Sequence, residues 1–197
     1  MSALNPKPRL ILASASPRRQ QLLAGLGYDF LIRPAATDES PLVGESPLAQ
    51  TLRLAESKAR EVAQTEPDSL VLAADSLVSL GDRIFGKPQD LAEARLFLRD
   101  LSGQAHQVTT GLCLLGPCAP EPRREAVISE VLFRPLTERE IEAYLEKGES
   151  LDKAGAYAIQ GHGLGLIQEV RGSLTNVMGL PVREVILALE KFLGPRP

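Results

Sequence analysis

Leu70-Val71-Leu72-Ala73-Ala74 carries no polar side chain on either face, which constrains the fold of this chain more than any other segment. A strand that is apolar on both faces has to lie between two covered layers, as central strands of α/β sheets do. Asp75 follows directly, and we read it as the residue that ends the strand. A carboxylate at the carboxyl end of such a strand stands where open α/β sheets bind their ligands. There it suits a divalent cation or the removal of a proton from water, although an Asx-turn or a helix cap is the commoner use of such a residue.

Around that strand the 197 residues alternate strand and helix signals, with no repeat and no low-complexity linker. Residues 10–13 read as a buried strand; Ser16 then suits an N-cap and Pro17 the first helical position, with helix continuing to Leu26. Residues 28–33 read as a strand and residues 36–41 as polar loop. Ser46 and Pro47 open a long helix to about Gln64, with Leu48, Leu52, Ala55, Ala59 and Val62 as its apolar stripe and Lys58 at the stripe's border. A hairpin turns at Gly81-Asp82, and a helix runs from about Asp90 to Leu101, its apolar positions including Leu91, Ala94, Leu98 and Leu101. Strands follow over residues 107–115 and 126–133, then a capping box from Thr137 to Glu140. Short strand pieces are expected in residues 155–172. Pro181 starts a last helix that buries Val185, Leu187, Leu189 and Phe192. The pattern predicts an α/β fold, with a mixed central sheet flanked by helices and extended by hairpins, as one domain over residues 1–197.

The first strand-to-helix turn, Ser14-Ala15-Ser16-Pro17-Arg18-Arg19, has an unusual charge placement. A helix start already carries partial positive charge, so a cation there is disfavoured by roughly 0.3–1 kcal/mol unless an anion offsets it. Free N–H groups, the hydroxyls of Ser14 and Ser16, and the guanidinium forks of Arg18 and Arg19 together suit a phosphate. On this reading both forks are free in the empty site, and removing Arg19 or Lys87 costs no stability. The alternative is that both arginines point into water. Gly81-Asp82-Arg83-Ile84-Phe85-Gly86-Lys87-Pro88 imitates a P-loop, but Pro88 replaces the hydroxyl residue that would hold magnesium and Ile84-Phe85 suit a strand. Lys87 remains available to phosphate as a point charge. Asp38 and Glu39 place further carboxylates on a loop.

Composition excludes several classes. A net charge of −3 and 4% aromatic residues, not interleaved with basic ones, argue against a single-strand nucleic-acid binder or stable nucleic-acid binding of any kind. Cys113 and Cys118, the two cysteines, flank Gly116-Pro117 without nearby histidines, so they read as reduced thiols that form neither a zinc site nor a disulfide framework, as in the cytoplasm. His106 and His162 are isolated and read as ordinary core or surface residues. No apolar run approaches the ~18 residues of a membrane span, and the N-terminal apolar segment is too short for a signal peptide.

Six ordered segments carry a resemblance: Leu12-Ala13-Ser14-Ala15-Ser16-Pro17-Arg18-Arg19; Ala73-Ala74-Asp75-Ser76; Gly86-Lys87-Pro88; Leu101-Ser102-Gly103 with His106-Gln107-Val108; Asp152-Lys153-Ala154-Gly155-Ala156-Tyr157 with Ile159-Gln160-Gly161; and Asn176-Val177-Met178-Gly179-Leu180-Pro181. Together they resemble the Maf family over nearly the whole chain. The resemblance implies a fold like that of the inosine triphosphate pyrophosphatases, with a substrate cleft between two lobes. It implies hydrolysis of nucleoside triphosphates between the α- and β-phosphates, giving a monophosphate and pyrophosphate with a divalent metal, Mg²⁺ or Mn²⁺. Asp75 corresponds to the proton acceptor, while Arg18, Ser76 and Gln160 fall where substrate preference is set. Arg18 with Ile159-Gln160-Gly161 is similar to the branch acting on dTTP and UTP. Ser76 stands where threonine is more usual, which keeps the hydroxyl and loses a methyl. Glu39 and Asp75 are the expected metal ligands, and Arg18, Arg19, Lys58 and Lys87 the cations that offset the triphosphate. Other expectations are a cytoplasmic protein without membrane attachment, for which a homodimer is compatible. Two alternatives stay open: a pyrophosphatase for other modified triphosphates, and a regulatory or interaction protein that inhibits septum formation or cell division.

Overall fold

The computed structural model describes residues 8–194. Its elements run β1 (Arg9–Leu12), α1 (Pro17–Ala24), β2 (Phe30–Ile32), α2 (Pro47–Thr65), β3 (Ser69–Leu80), β4 (Arg83–Phe85), α3 (Leu91–Leu101), β5 (Ala105–Gly116), β6 (Ala119–Phe133), α4 (Glu138–Leu145), β7 (Ile167–Arg171), α5 (Leu174–Val177) and α6 (Val182–Leu193). Seven strands form one mixed sheet in the order β2-β1-β3-β5-β6-β7, with β4 on the distal half of β3. β1 pairs in parallel with β2 and β3, whereas every pairing beyond β3 is antiparallel.

The two-sided apolar character of residues 70–74 is used as the sequence predicts. Val71 and Ala73 join Ile11, Ala13 and Cys113 beneath Ala55, Ala59 and Val62 of α2. On the opposite face Leu70, Leu72 and Ala74 pack with Leu23 of α1 and with Val185, Leu189 and Leu193 of α6. A second lobe gathers around Val78, Val108 and Val131, covered by Phe97, Leu98 and Leu101 of α3 and Ile141, Tyr144 and Leu145 of α4. His106 belongs to this lobe's core: its Nε2 meets the Tyr157 hydroxyl at 2.7 Å and its ring stands edge-on to Phe133. Burial lowers its pKa to about 4, so it stays neutral. Cys113 is buried and Cys118 exposed, and both are free.

Four sequence expectations are corrected. Asp75 does not end its strand; β3 continues to Leu80. β1 stops at Leu12, but β5 keeps pairing with β3 as far as Ser79, so β3 loses one neighbour and retains the other. Asp75 therefore stands mid-strand, just past the point where the parallel partner departs.

The apolar stripe of α2 is also rotated. Its buried face is Thr51, Leu54, Ala55, Lys58, Ala59 and Val62, while Leu48 is 42% exposed and Leu52 half-buried. The cause lies in β5: a Cβ at Gly111 would stand 2.5 Å from the carbonyl carbon and oxygen of Thr51. Bare backbone there lets α2 settle onto the sheet at Thr51, which turns the two leucines outward. Gly111→Ala should push α2 off the sheet and cost about 1–3 kcal/mol. A urea midpoint equal to that of the native protein would show that α2 has room to spare.

Residues 155–166 form 3₁₀ turns, Ala154–Ala156 and Gly161–Leu166, instead of short strands; only Ile167–Arg171 is extended. Positive φ at Gly155, Ala156 and Gly161 breaks the extended run. In α6, Leu187 is 47% exposed, because Val185, Leu189 and Leu193 at four-residue spacing take the inner face.

Candidate active site

Where β1 leaves the sheet, the chain builds a corner. Ala13 N–H still donates to Leu72 O at 2.8 Å, and the strand then turns away. Ser14 Oγ accepts from Ser16 N at 3.2 Å, and Ser16 caps α1 by accepting from Arg19 N at 3.5 Å, with Pro17 in the first turn. Two residues along β3 from Leu72, the carbonyl of Ala74 points to the same edge but has no strand beside it. Arg19 fills the gap. Its Nη1 donates to Ala74 O at 2.7 Å and Ser14 Oγ at 3.4 Å, its Nε to Gly179 O at 2.8 Å, and its Nη2 to Ser76 Oγ at 3.0 Å. The expectation of two free forks is thereby corrected. Arg19 has four of its five N–H groups engaged by the protein, whereas Arg18 makes no hydrogen bond among the described residues. Burial lowers the Arg19 pKa, opposed by the charges of Asp75 and Glu39.

Strand alternation turns Asp75 to the α2 side, together with Val71 and Ala73. Lys58, two turns along α2 from the Thr51 contact, reaches down to it. Lys58 Nζ lies 2.6 Å from Asp75 Oδ1 and 2.5 Å from Glu39 Oε1, so one ammonium bridges both carboxylates. Asp75 is 6% exposed and Lys58 8%; Glu39 is more open, on the loop before α2. That loop is fastened by Asp38 Oδ1, which accepts from Ser40 N at 2.9 Å, and by Arg53, which donates to Ser40 O at 3.1 Å and pairs with Glu45. Burial raises the Asp75 pKa, and the pull of Lys58 and Arg19 does not fully offset it. For Glu39 burial also raises the pKa, but Lys58, Lys87 and Arg19 outweigh it and hold the carboxyl below its ordinary value. Hard oxygens from two carboxylates suit Mg²⁺, which usually takes one or two from the protein and the rest from phosphate and water. Among the described residues no group of three His, Cys, Asp or Glu side chains is placed to hold a metal.

Asp75 opens into a cleft of about 510 Å³ between the two lobes. Ten residues singled out from sequence line it, Ser14, Ser16, Arg18, Arg19, Glu39, Lys58, Asp75, Ser76, Lys87 and Gln160, whereas Asp38 is not among its lining and serves the loop turn at Ser40. Lys87 is held there by the segment after β4, where Gly86 O accepts from Gly155 N at 3.1 Å. Gln160 is exposed at the start of a 3₁₀ turn and forms no capping bond, so it does not serve merely to bridge backbone. A Cβ at Gly163 would fall 1.9 Å from Ala158 O, so this glycine is what lets the turn carry Gln160 back over the cleft. The site reading passed over Asp152, Lys153 and Tyr157, which line the far wall. Lys153 Nζ pairs with Asp152 Oδ1 at 2.5 Å, and a charge pair beside Ala154-Gly155-Ala156 was the available signal. His162 pairs instead with Glu149 at 2.8 Å on the surface.

The family model described as Maf-like protein matches residues 9–192. The chain belongs to the Maf family. A Maf relative from Anaeromyxobacter dehalogenans strain 2CP-C, named dTTP/UTP pyrophosphatase, is 50% identical over 96% of this chain and 97% of its own length. Another of that name, from Clostridioides difficile strain 630, is 44% identical over 94% of this chain and 95% of its own. A solved nucleoside-triphosphatase / dITP/XTP pyrophosphatase from Mycobacterium abscessus aligns over 94% of this chain and 96% of its own, with a TM-score of 0.46 and 14% identity.

Proposed function

We propose that this Maf protein hydrolyses dTTP and UTP between the α- and β-phosphates, releasing the nucleoside monophosphate and pyrophosphate. One observation carries the reading. A nearly buried carboxylate, Asp75, paired with Lys58, shares its cleft with Arg18, Arg19 and Lys87, in a chain half identical, nearly end to end, to a dTTP/UTP pyrophosphatase. Asp75 takes the proton of the attacking water, and no covalent intermediate is needed. Arg18, Lys58 and Lys87 offset the triphosphate charge, and Arg19 holds the corner in shape. Glu39 and Asp75 would hold a divalent cation, Mg²⁺ or Mn²⁺, which when bound neutralises and orients the phosphates. One chain supplies the whole set, so a homodimer is compatible but not required. We place the protein in the cytoplasm, a reading with which its free thiols agree; among the described residues no helix is long and apolar enough to cross a membrane.

The test is pyrophosphate release from a panel of canonical and modified triphosphates, with Mg²⁺ and with Mn²⁺. dTTP and UTP should exceed CTP, ATP and GTP. A uracil or thymine edge presents N3–H between two carbonyls, and the Gln160 amide offers one donor and one acceptor to it. Gln160 is exposed in the empty cleft, and once a bound base covers it a mispaired amide would cost about 1–3 kcal/mol, or roughly ten- to more than a hundredfold in kcat/KM. Gln160→Glu should therefore depress dTTP and UTP more than CTP; equal losses for all three would reject base reading by this residue.

A further inference from the structure

Thr110 touches neither the carboxylates nor the cations of the cleft, yet it is wholly buried in β5 opposite Ser76 of β3. Ser76 Oγ and Thr110 Oγ1 lie 2.8 Å apart. Ser76 Oγ also accepts from Arg19 Nη2 at 3.0 Å, and Thr110 Oγ1 donates to the backbone carbonyl of Asn176 at 3.3 Å. This is a chain of three contacts with fixed ends. A guanidinium only donates and a carbonyl only accepts, so one proton arrangement satisfies all three: Arg19 to Ser76, Ser76 to Thr110, Thr110 to Asn176. Turning the middle bond round would leave the Thr110 and Asn176 oxygens facing each other without a proton. Such head-to-tail chains are also strengthened by mutual polarisation. The far end is anchored, because the Asn176 amide donates to Val108 O at 2.9 Å and Ser129 Oγ at 3.0 Å.

The consequence lies in the cleft. Ser76 has given its proton to Thr110 and one lone pair to Arg19; what it has left is one lone pair. We infer that Thr110 is a positioning residue that fixes Ser76 as a hydrogen-bond acceptor, so that the nucleoside group received at Ser76 is a donor. This rests on the pyrophosphatase reading above and deepens it. Uracil and thymine carry such a donor at N3–H, whereas cytosine presents an acceptor at N3 and carries its donor on the N4 amino group instead; a sugar hydroxyl is another donor a nucleoside supplies. Threonine differs from serine only by a methyl on Cβ, which leaves the hydroxyl proton in place, so Ser76 takes the same part in this chain of bonds as a threonine would.

Thr110→Val keeps the shape and removes the relay, freeing the Ser76 hydroxyl to rotate and donate. The kcat/KM ratio of UTP to CTP should fall about tenfold or more, mostly through loss on UTP, while Thr110→Ser retains the native ratio. Arg19 and Asp75 are untouched, so a merely structural defect would lower both substrates together and leave the ratio alone. The ratio of dTTP to its 2′,3′-dideoxy analogue is measured beside it. If that ratio changes and the UTP-to-CTP ratio does not, the sugar supplies the donor and the role of Thr110 stands. If both ratios stay at native values in a folded Thr110→Val protein, the inference is overturned. Should that variant not fold, Ser76→Ala takes its place, since deleting the acceptor must collapse one of the same two ratios. Native protein inactive on every triphosphate would instead remove the pyrophosphatase reading itself, an outcome distinct from unchanged ratios.

Discussion

Asp75→Asn should fold normally and lose about 10²–10⁴ in kcat with dTTP, the usual worth of a general base. An amide keeps the shape of the carboxylate but takes no proton at neutral pH and is a poorer ligand for a hard cation. The stability side of this variant follows from the raised pKa of Asp75. A folded-state pKa above the unfolded one means that the folded state holds the proton more tightly. Its stabilising effect is present below the unfolded value and lost as pH rises through the folded one, so at neutral pH the ionised group weighs against folding. Replacing it with a neutral amide removes that burden, and Lys58 keeps Glu39 as a partner at 2.5 Å. The melting temperature at pH 7 should therefore be no lower than that of the native protein. Near-native kcat in folded Asp75→Asn would falsify the role assigned to this carboxylate.

Arg19→Ala should have the largest effect on stability among substitutions at the cleft. The side chain joins the end of β1, the open edge of β3 and the turn at Gly179, through bonds to Ala74 O, Gly179 O, Ser14 Oγ and Ser76 Oγ. Each polar group stranded by its removal is worth about 1–3 kcal/mol, and because the solvent reaches part of the corner we expect about 3 kcal/mol in all. For a chain of this size that is a fall of about 6–12 °C in melting temperature. Lys87→Ala is the contrast. Lys87 has no hydrogen bond among the described residues, so that variant should keep its stability and lose only triphosphate handling. Equal melting temperatures for the two variants would mean that Arg19 is as free as Lys87.

The difference between those two cations marks what was legible in the sequence. Strand, cap and turn chemistry act locally, so Ser16-Pro17, the Gly81-Asp82 hairpin and the Thr137–Glu140 box were readable from residue type alone. The ten candidate residues, found from charge placement and motif resemblance, line one cleft, some at turns and element ends and others, Asp75, Ser76 and Lys58, within β3 and α2. What depends on a neighbour in space was not readable. The length of β3 is set by β5, which stays paired after β1 has gone. The inward face of α2 is set by a missing Cβ on another strand, at Gly111. Arg19 looked like a free cation because the carbonyl it serves, on Ala74, becomes bare only when β1 departs in three dimensions.

β3 and β5 stay in register through nine consecutive residue pairs, from Val71↔Leu115 to Ser79↔Gln107. The first of those pairs belongs to one lobe's core and the eighth, Val78↔Val108, to the other's, with Asp75↔Gly111 between them. Any closure of the cleft would have to twist this ladder with its pairing intact instead of swinging about a loop. Whatever adaptation a nucleotide calls for has to come from the margins: the Glu39 loop on one side and the turn bearing Gln160 on the other. The floor that holds Asp75 is hydrogen-bonded sheet on the β5 side, so accommodation there falls first to side chains re-aiming over a paired backbone.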